Sequence, residues 1–393
     1  MVRSFLRNRR RTLTLLTAGA VLAVALSLIL ASRSGDGKAT SNADGCPVTA
    51  LTCKPGQFDP ADSPSATASP LDTNAGGGAK APGMDRPSPT PNPSKTRSGS
   101  GTGSTTAPAT GSPGTHAPTG PCASFSACGF PDASTTGPRL AFTSHKTGDM
   151  TLRSDNQVIR GWDLRGSLDI YANNVTVIDS RITSTNWWGI NLRPGYHGLR
   201  VLHNTITAIP GKGPDNGGVD YAVSNMGGSI IEVGWSDISV FGDALSMGQG
   251  NLHDNYVHDI VPFINLGGEW QHTNAVISDG GGEGELTIRH NTLLNSTPAD
   301  KGPSASVGLY ADVAPVTHTT VDGNWMAGGA YSFYGGSTGA NHITVTDNYF
   351  SPVYYKNSGV YGPVNAWNTG GEGNVWRNNK MADGTPVNPA PPS

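Results

Sequence analysis

A short pattern recurs nine times between Ile159 and Lys380, and a chain built on such a repeat has few folds open to it. The pattern is an apolar residue, two variable ones, usually Asn, one more variable residue and then usually another apolar one. It reads IRGWDL from Ile159, VIDSRI from Val177, VLHNTI from Val201, VGWSDI from Val233 and LHDNYV from Leu252. It continues as IRHNTL from Ile288, VDGNWM from Val321, VTDNYF from Val345 and VWRNNK from Val375. Asn204, Asn255, Asn291, Asn324, Asn348 and Asn378 fill the fourth position. Copies are separated by 18 to 36 residues, as expected of a solenoid whose coils share a core strand and differ in surface insertions. Polar and apolar residues alternate at period two around each copy, which predicts strands rather than helices.

One such unit cannot bury its own apolar face, whereas stacking it on a neighbour does so for both. An Asn at the same bend of successive coils can bond its side chain to the coils above and below, satisfying turn amides. The pattern therefore predicts an all-β chain, a parallel β-helix of about nine coils and roughly 40 Å in length. Glycine at 53 residues of 393 and charged residues at only 14% suit short strands and many turns, not amphipathic helices.

Three segments are expected: 1–33, 34–120 and 121–393. Arg3, Arg7, Arg9, Arg10 and Arg11 precede an uncharged, mostly apolar run from Thr12 to Ala31. That run is long enough to span a bilayer with the Arg-rich end inside, or it serves as a cleaved or twin-arginine export signal; in each case the rest is exported. The second segment, rich in Pro, Ser, Thr, Gly and Ala, has almost nothing to bury and reads as an unfolded tether reaching on the order of 50 Å. Export and even count favour disulfides among Cys46, Cys53, Cys122 and Cys128, with the local pairs preferred because each closes a small loop. The second pair is expected at the start of the first coil, capping the open end.

Residues 121–393 carry 14 Lys and Arg against 23 Asp and Glu, a net of −9. An acidic rod is a poor partner for nucleic acid and gains nothing at long range from a polyanion.

CGFPDASTTGP from Cys128, the coils NNVTVIDSRI and HGLRVLHNTI, and VYGPVNAWNTGGEGNVW from Val360 resemble the exported right-handed parallel β-helix proteins of actinobacteria, in the pectate-lyase-like superfamily. The likeness covers roughly residues 128 to 388 and is specific for fold. It implies an extracellular polysaccharide as partner without naming a reaction, since that superfamily holds lyases, glycoside hydrolases, epimerases and structural members. Where the family has His-x-Asp-Gly-x-Gln, this chain reads His272, Thr273, Asn274, Ala275, Val276, Ile277. Its Gly-Asp-Gly becomes Gly242, Asp243, Ala244, so one carboxylate is kept and one is an amide.

A second set of strands lies between the repeats. With Ile190, Val223, Leu245, Val276, Leu309 and Phe333 facing the core, period two turns Asn191, Ser224, Ser246, Ile277, Tyr310 and Tyr334 outward in one stripe. Sugars need such a mixture of rings and hydrogen-bonding groups. Asp243, His272 and Tyr310 are the expected catalytic groups, since a lyase needs a base and a charge stabiliser and a glycosidase needs two carboxylates. Asn191, Ser246, Asn274, Tyr334, Trp188 and Trp270 are the expected substrate contacts. Asp279, Glu283 and Asp312 are candidate ligands for calcium, which takes six to eight oxygens. Each has a plainer reading: Asp243 and Asn274 as groups bonding turn amides, and the DGGGEGE run from Asp279 as a solvated loop. The function expected is a lyase or glycosidase acting on an extracellular polysaccharide; the alternative is a glycan-binding or structural wall protein.

Overall fold

A computed structural model describes residues 120–280 and 284–389. The apolar N-terminal segment, nearly all of the tether, Cys46, Cys53 and Glu283 lie outside the described residues. Among the described residues no helix is long and apolar enough to cross a membrane.

Strands fall into three sheets of ten, nine and nine, and each strand is bonded to the third strand before and after it. The paired strands are parallel, so each coil contributes one strand to each sheet: a parallel β-helix, with all-β content as expected. Sheet one runs from Ser144–Thr147 to Lys380–Met381, sheet two from Met150–Leu152 to Gly362–Asn365, and sheet three from Val158–Arg160 to Val375–Arg377. The interior is a stack of aliphatic side chains, one layer per coil, with Ile159, Val177, Val201 and Val233 aligned in sheet three.

The six-residue repeat is not one strand, as its alternation suggested, but a corner between two. Its first residue ends in sheet three, its last points into the core from sheet one, and the chain turns at the third. Gly161, Asp179, His203, Trp235, Asp254, His290, Gly323, Asp347 and Asn378 occupy that turn with φ between 50° and 67°. The left-handed region costs an L-residue roughly 1–2 kcal/mol, least for Gly, Asn and Asp, which explains six of these nine residues but not His203, Trp235 and His290.

At the fourth position each buried Asn clamps the preceding coil. The Asn255 amide donates to the Val233 carbonyl at 2.8 Å, and its oxygen accepts from the Ser236 amide at 3.1 Å. Asn291, Asn324 and Asn348 repeat the bond to Leu252, Ile288 and Val321 at 2.8–2.9 Å. The ladder ends at Asn379, which donates to the Val345 carbonyl at 2.8 Å, and not at Asn378. Val345 pairs with Trp376, so the ninth copy starts one residue later than the apolar pattern indicates and Val375 faces solvent. Trp376 there turns inward against Phe333, Phe350 and Trp367, closing that end of the core.

The segment before the first coil forms a strap along the outside of sheet one. Cys122 is disulfide-bonded to Cys128, the local pairing expected, but at the opposite end of the rod from the one expected. The Cys122 amide donates to the Ala382 carbonyl of the last coil at 2.7 Å, and Tyr349 donates to the Gly120 carbonyl at 2.6 Å. From there the strap runs back over Trp325 and Tyr256, which Phe130 and Phe125 cover, and reaches Asp179 of an early coil through Arg139 at 3.0 Å. Outward rings on sheet one need an apolar cover, and the strap supplies it.

Candidate functional site

On sheet two, Ile190, Val223, Leu245, Val276 and Phe333 are fully buried and in register, as the alternation predicts. The seventh strand of this sheet, Pro303–Leu309, differs. Val307, not Leu309, pairs with Val276 and Phe333, so Gly308 takes the outward place assigned to Tyr310. The Tyr310 ring folds back over Gly308, where a Cβ would collide with it. The outward row therefore runs Asp169, Asn191, Ser224, Ser246, Ile277, Gly308, Tyr334, Asn365. A second row beside it carries Trp188, Tyr221, Asp243, Asn274 and Ala305.

Three of the expected residues meet there. Asn274 donates to Asp243 Oδ1 at 2.8 Å, and the Tyr310 hydroxyl donates to Asn274 Oδ1 at 3.1 Å. Asp243 and Asn274 are buried, and Tyr310 is half-buried with its ring 5.3 Å from that of Tyr334. Burial, then the neighbouring Tyr334 and Asp243, push the Tyr310 phenol well above its ordinary pKa, so it stays a neutral donor. Burial also raises Tyr334. Ser246, half-buried, stands in the row one coil before Ile277.

The other expected residues are not brought into this chain. His272, two residues before Asn274, is exposed and has no side-chain hydrogen bond to Asp243 or Tyr310. Trp270 is 37% exposed on an insertion joined across Ile264 and Trp270, with Lys301 Nζ 5.9 Å over its ring. Asp312 is exposed, while the Asp279 carbonyl accepts from the Val313 amide at 3.0 Å. Among the described residues no group of three or more His, Cys, Asp or Glu is placed to hold a metal ion.

Trp188 and Asn191 stand near the other end of the face, around a residue the sequence reading did not single out. Asp169 pairs in register with Asn191, and Arg193 Nη1 approaches Asp169 Oδ1 at 3.6 Å. The guanidinium stacks on Trp188 and Tyr171, each 5.2 Å from its carbon. Burial lifts the Asp169 carboxyl to about 6 despite the opposing Arg193 charge. The signal for Asp169 was present: in Leu168-Asp169-Ile170 it alternates as Asn191 does in Ile190-Asn191-Leu192, one coil earlier.

Sheet three carries an ion-pair ladder built on histidines of the repeats. His253 Nε2 meets Glu232 at 3.2 Å and its Nδ1 meets Asp254 at 2.9 Å. His290 meets Asp254 at 2.6 Å, and its ring stacks on Phe130 of the strap.

Comparison with models of protein families, with curated proteins and with solved structures gave no match to this chain.

Proposed function

We propose that this β-helix holds an extended extracellular polysaccharide along the outward face of sheet two. The bonded chain Asp243, Asn274, Tyr310 carries the reading: consecutive coils, about 4.8 Å apart, link a buried carboxylate and a buried amide to a half-buried phenol on the outward side of sheet two. Tyr334 beside them, and Tyr331 5.4 Å from Tyr334, offer rings for the C–H faces of sugars. The pectate-lyase-like resemblance of the sequence, right-handed winding included, supports the same partner. Export past a membrane, anchored or cleaved, belongs to this proposal, and the net −9 of the rod speaks against nucleic acid.

One observation also favours turnover. A carboxylate and a phenol kept neutral by burial stand on either side of one amide, which gives a lyase or glycosidase an acceptor and a donor of protons at one place. The test is to incubate the exported protein with polyuronates, alginate and neutral glycans, with and without calcium, following unsaturated-uronate absorbance, reducing ends and retention on immobilised glycan. Retention without product supports a binder, product that disappears in Asp243→Asn supports an enzyme, and neither on a broad panel ends the polysaccharide reading.

A further inference from the structure

We propose that the strap is a clamp that couples the two ends of the rod, so that coils which stack only on their neighbours open and close as one unit. In a bare solenoid each repeat rests on the one before and the one after, and end repeats are free to fray by themselves. The three sheets follow that rule, since each strand pairs with the third strand before and after it. The strap crosses it. Arg139 donates to the Asp179 carboxylate from Nε and Nη2 at 3.0 and 3.1 Å, and the Gly137 amide donates to the Trp235 carbonyl at 2.9 Å. Further back along the strap, Thr292 donates to the Pro131 carbonyl at 2.7 Å, and the Cys122 amide reaches Ala382 of the last coil at the same distance. A single short segment thus bonds an early coil, the middle of the stack and its far end.

Both ends of the segment are fixed. At one end it runs directly into the first strand, Ser144–Thr147, and Arg139 anchors it on a carboxylate whose side chain is fully buried. At the other, the Cys122–Cys128 disulfide closes a loop around Phe125, whose ring stacks on Tyr256 at 5.6 Å. Between them Phe130 is buried against Trp325 and Tyr349, register partners in adjacent coils. If the last coil opens alone, it loses the Cys122 bond as well as its neighbour, while the strap, still held at Asp179 and under Phe130, recovers little chain entropy in return. Fraying at the early end faces the same balance, because the strap is then held by the late coils. Each end is therefore penalised for opening without the other.

The test is amide hydrogen exchange of the full-length protein in stepped, sub-denaturing urea, followed by mass spectrometry on peptides from 158–184 and 341–381. In the parent the two regions should exchange through one shared opening, with the same urea dependence. Two variants cut the clamp at opposite ends. Arg139→Ala leaves Arg160 on Asp179, so the fold is kept, and Cys122→Ser combined with Cys128→Ser frees the late end. The first should let 158–184 exchange at least about tenfold faster than 341–381, and the second should reverse that order. A parent whose ends already open independently overturns the clamp. So does a parent that opens as one unit together with variants that still do, because stacking alone then supplies the cooperativity.

Discussion

Tyr310 gives its hydroxyl proton to Asn274 Oδ1 across 3.1 Å, from a strand end whose preceding glycine is covered by the same ring. That bond sets the direction of the Asn274 amide, which in turn points its NH2 at Asp243. Tyr310→Phe should cost about 1–3 kcal/mol of stability, because the ring still covers Gly308 but the buried Asn274 Oδ1 loses its donor. Glycan retention should fall more than folding does, and denaturant titration set beside affinity electrophoresis separates the two.

Asn274 stands where the resembling family has a carboxylate. Restoring it with Asn274→Asp replaces a donor to Asp243 by a like charge, so one acid of the pair must take up a proton on folding. Its folded-state pKa then lies above the unfolded one, and the stability of the variant is highest at low pH and declines as pH rises through the raised value. Melting curves at pH 4 and pH 7 should show the variant much further below the parent at pH 7; equal deficits at both would mean that the two side chains do not interact.

The Asn ladder should be structural. Replacing Asn291 by Ala strips a donor from the Leu252 carbonyl and an acceptor from the Asn255 amide, all buried, at a cost of about 1–3 kcal/mol for each group left unpaired. Asn378→Ala, at the exposed turn, should cost much less than Asn379→Ala. Urea midpoints of the two variants give a direct check on the register of the last coil.

Stability should fall on both sides of a plateau because of the sheet-three ladder. Burial opposes the charge on His253, but hydrogen bonds to Asp254 and Glu232 outweigh it and lift the imidazole to about 9. The His253 bond holds Glu232 down at about 2, and Asp254 is also near 2 against the pull of burial. The histidine contribution is complete below its unfolded value of about 6.5 and is lost as pH rises through about 9. The carboxylate contribution is complete above the unfolded values of about 4 and is lost as pH falls toward 2. Thermal melts from pH 2 to 10 should therefore peak between about 5 and 6.5, and His253→Gln should flatten the alkaline arm.

Gly120, the first described residue, lies against Tyr349 of a late coil, so the strap begins at the C-terminal end of the rod. Phe130→Ala, which opens a gap against Trp325, Tyr349 and His290, should cost about 3–5 kcal/mol and expose the strap to limited proteolysis.

Register was legible in the sequence wherever a β-period of two met a deep apolar core: eight of the nine copies align from Ile159 to Val345 as read. It slipped at Val375, where two successive Asn residues and an apolar residue at either of two positions satisfy the pattern equally well. It slipped again at Leu309, since Val307 and Leu309 are both buried and alternation alone cannot rank them. The centre of the site was half legible: Asp243, Asn274 and Tyr310 were named one by one, while the bonds joining them depend on a ring folding back over Gly308.

What the sequence by itself determined is the coil, because each repeat must bury an apolar residue and satisfy an Asn at a fixed interval, and those demands are local and periodic. Tertiary structure alone decided the neighbours: which end the Cys122–Cys128 loop closes on, and that Asp169, one coil away from Asn191 and Trp188, shares their surface. Such proximity arises from stacking, and the residues brought together are separated along the chain by insertions whose lengths carry no record of which side chains they return to one another.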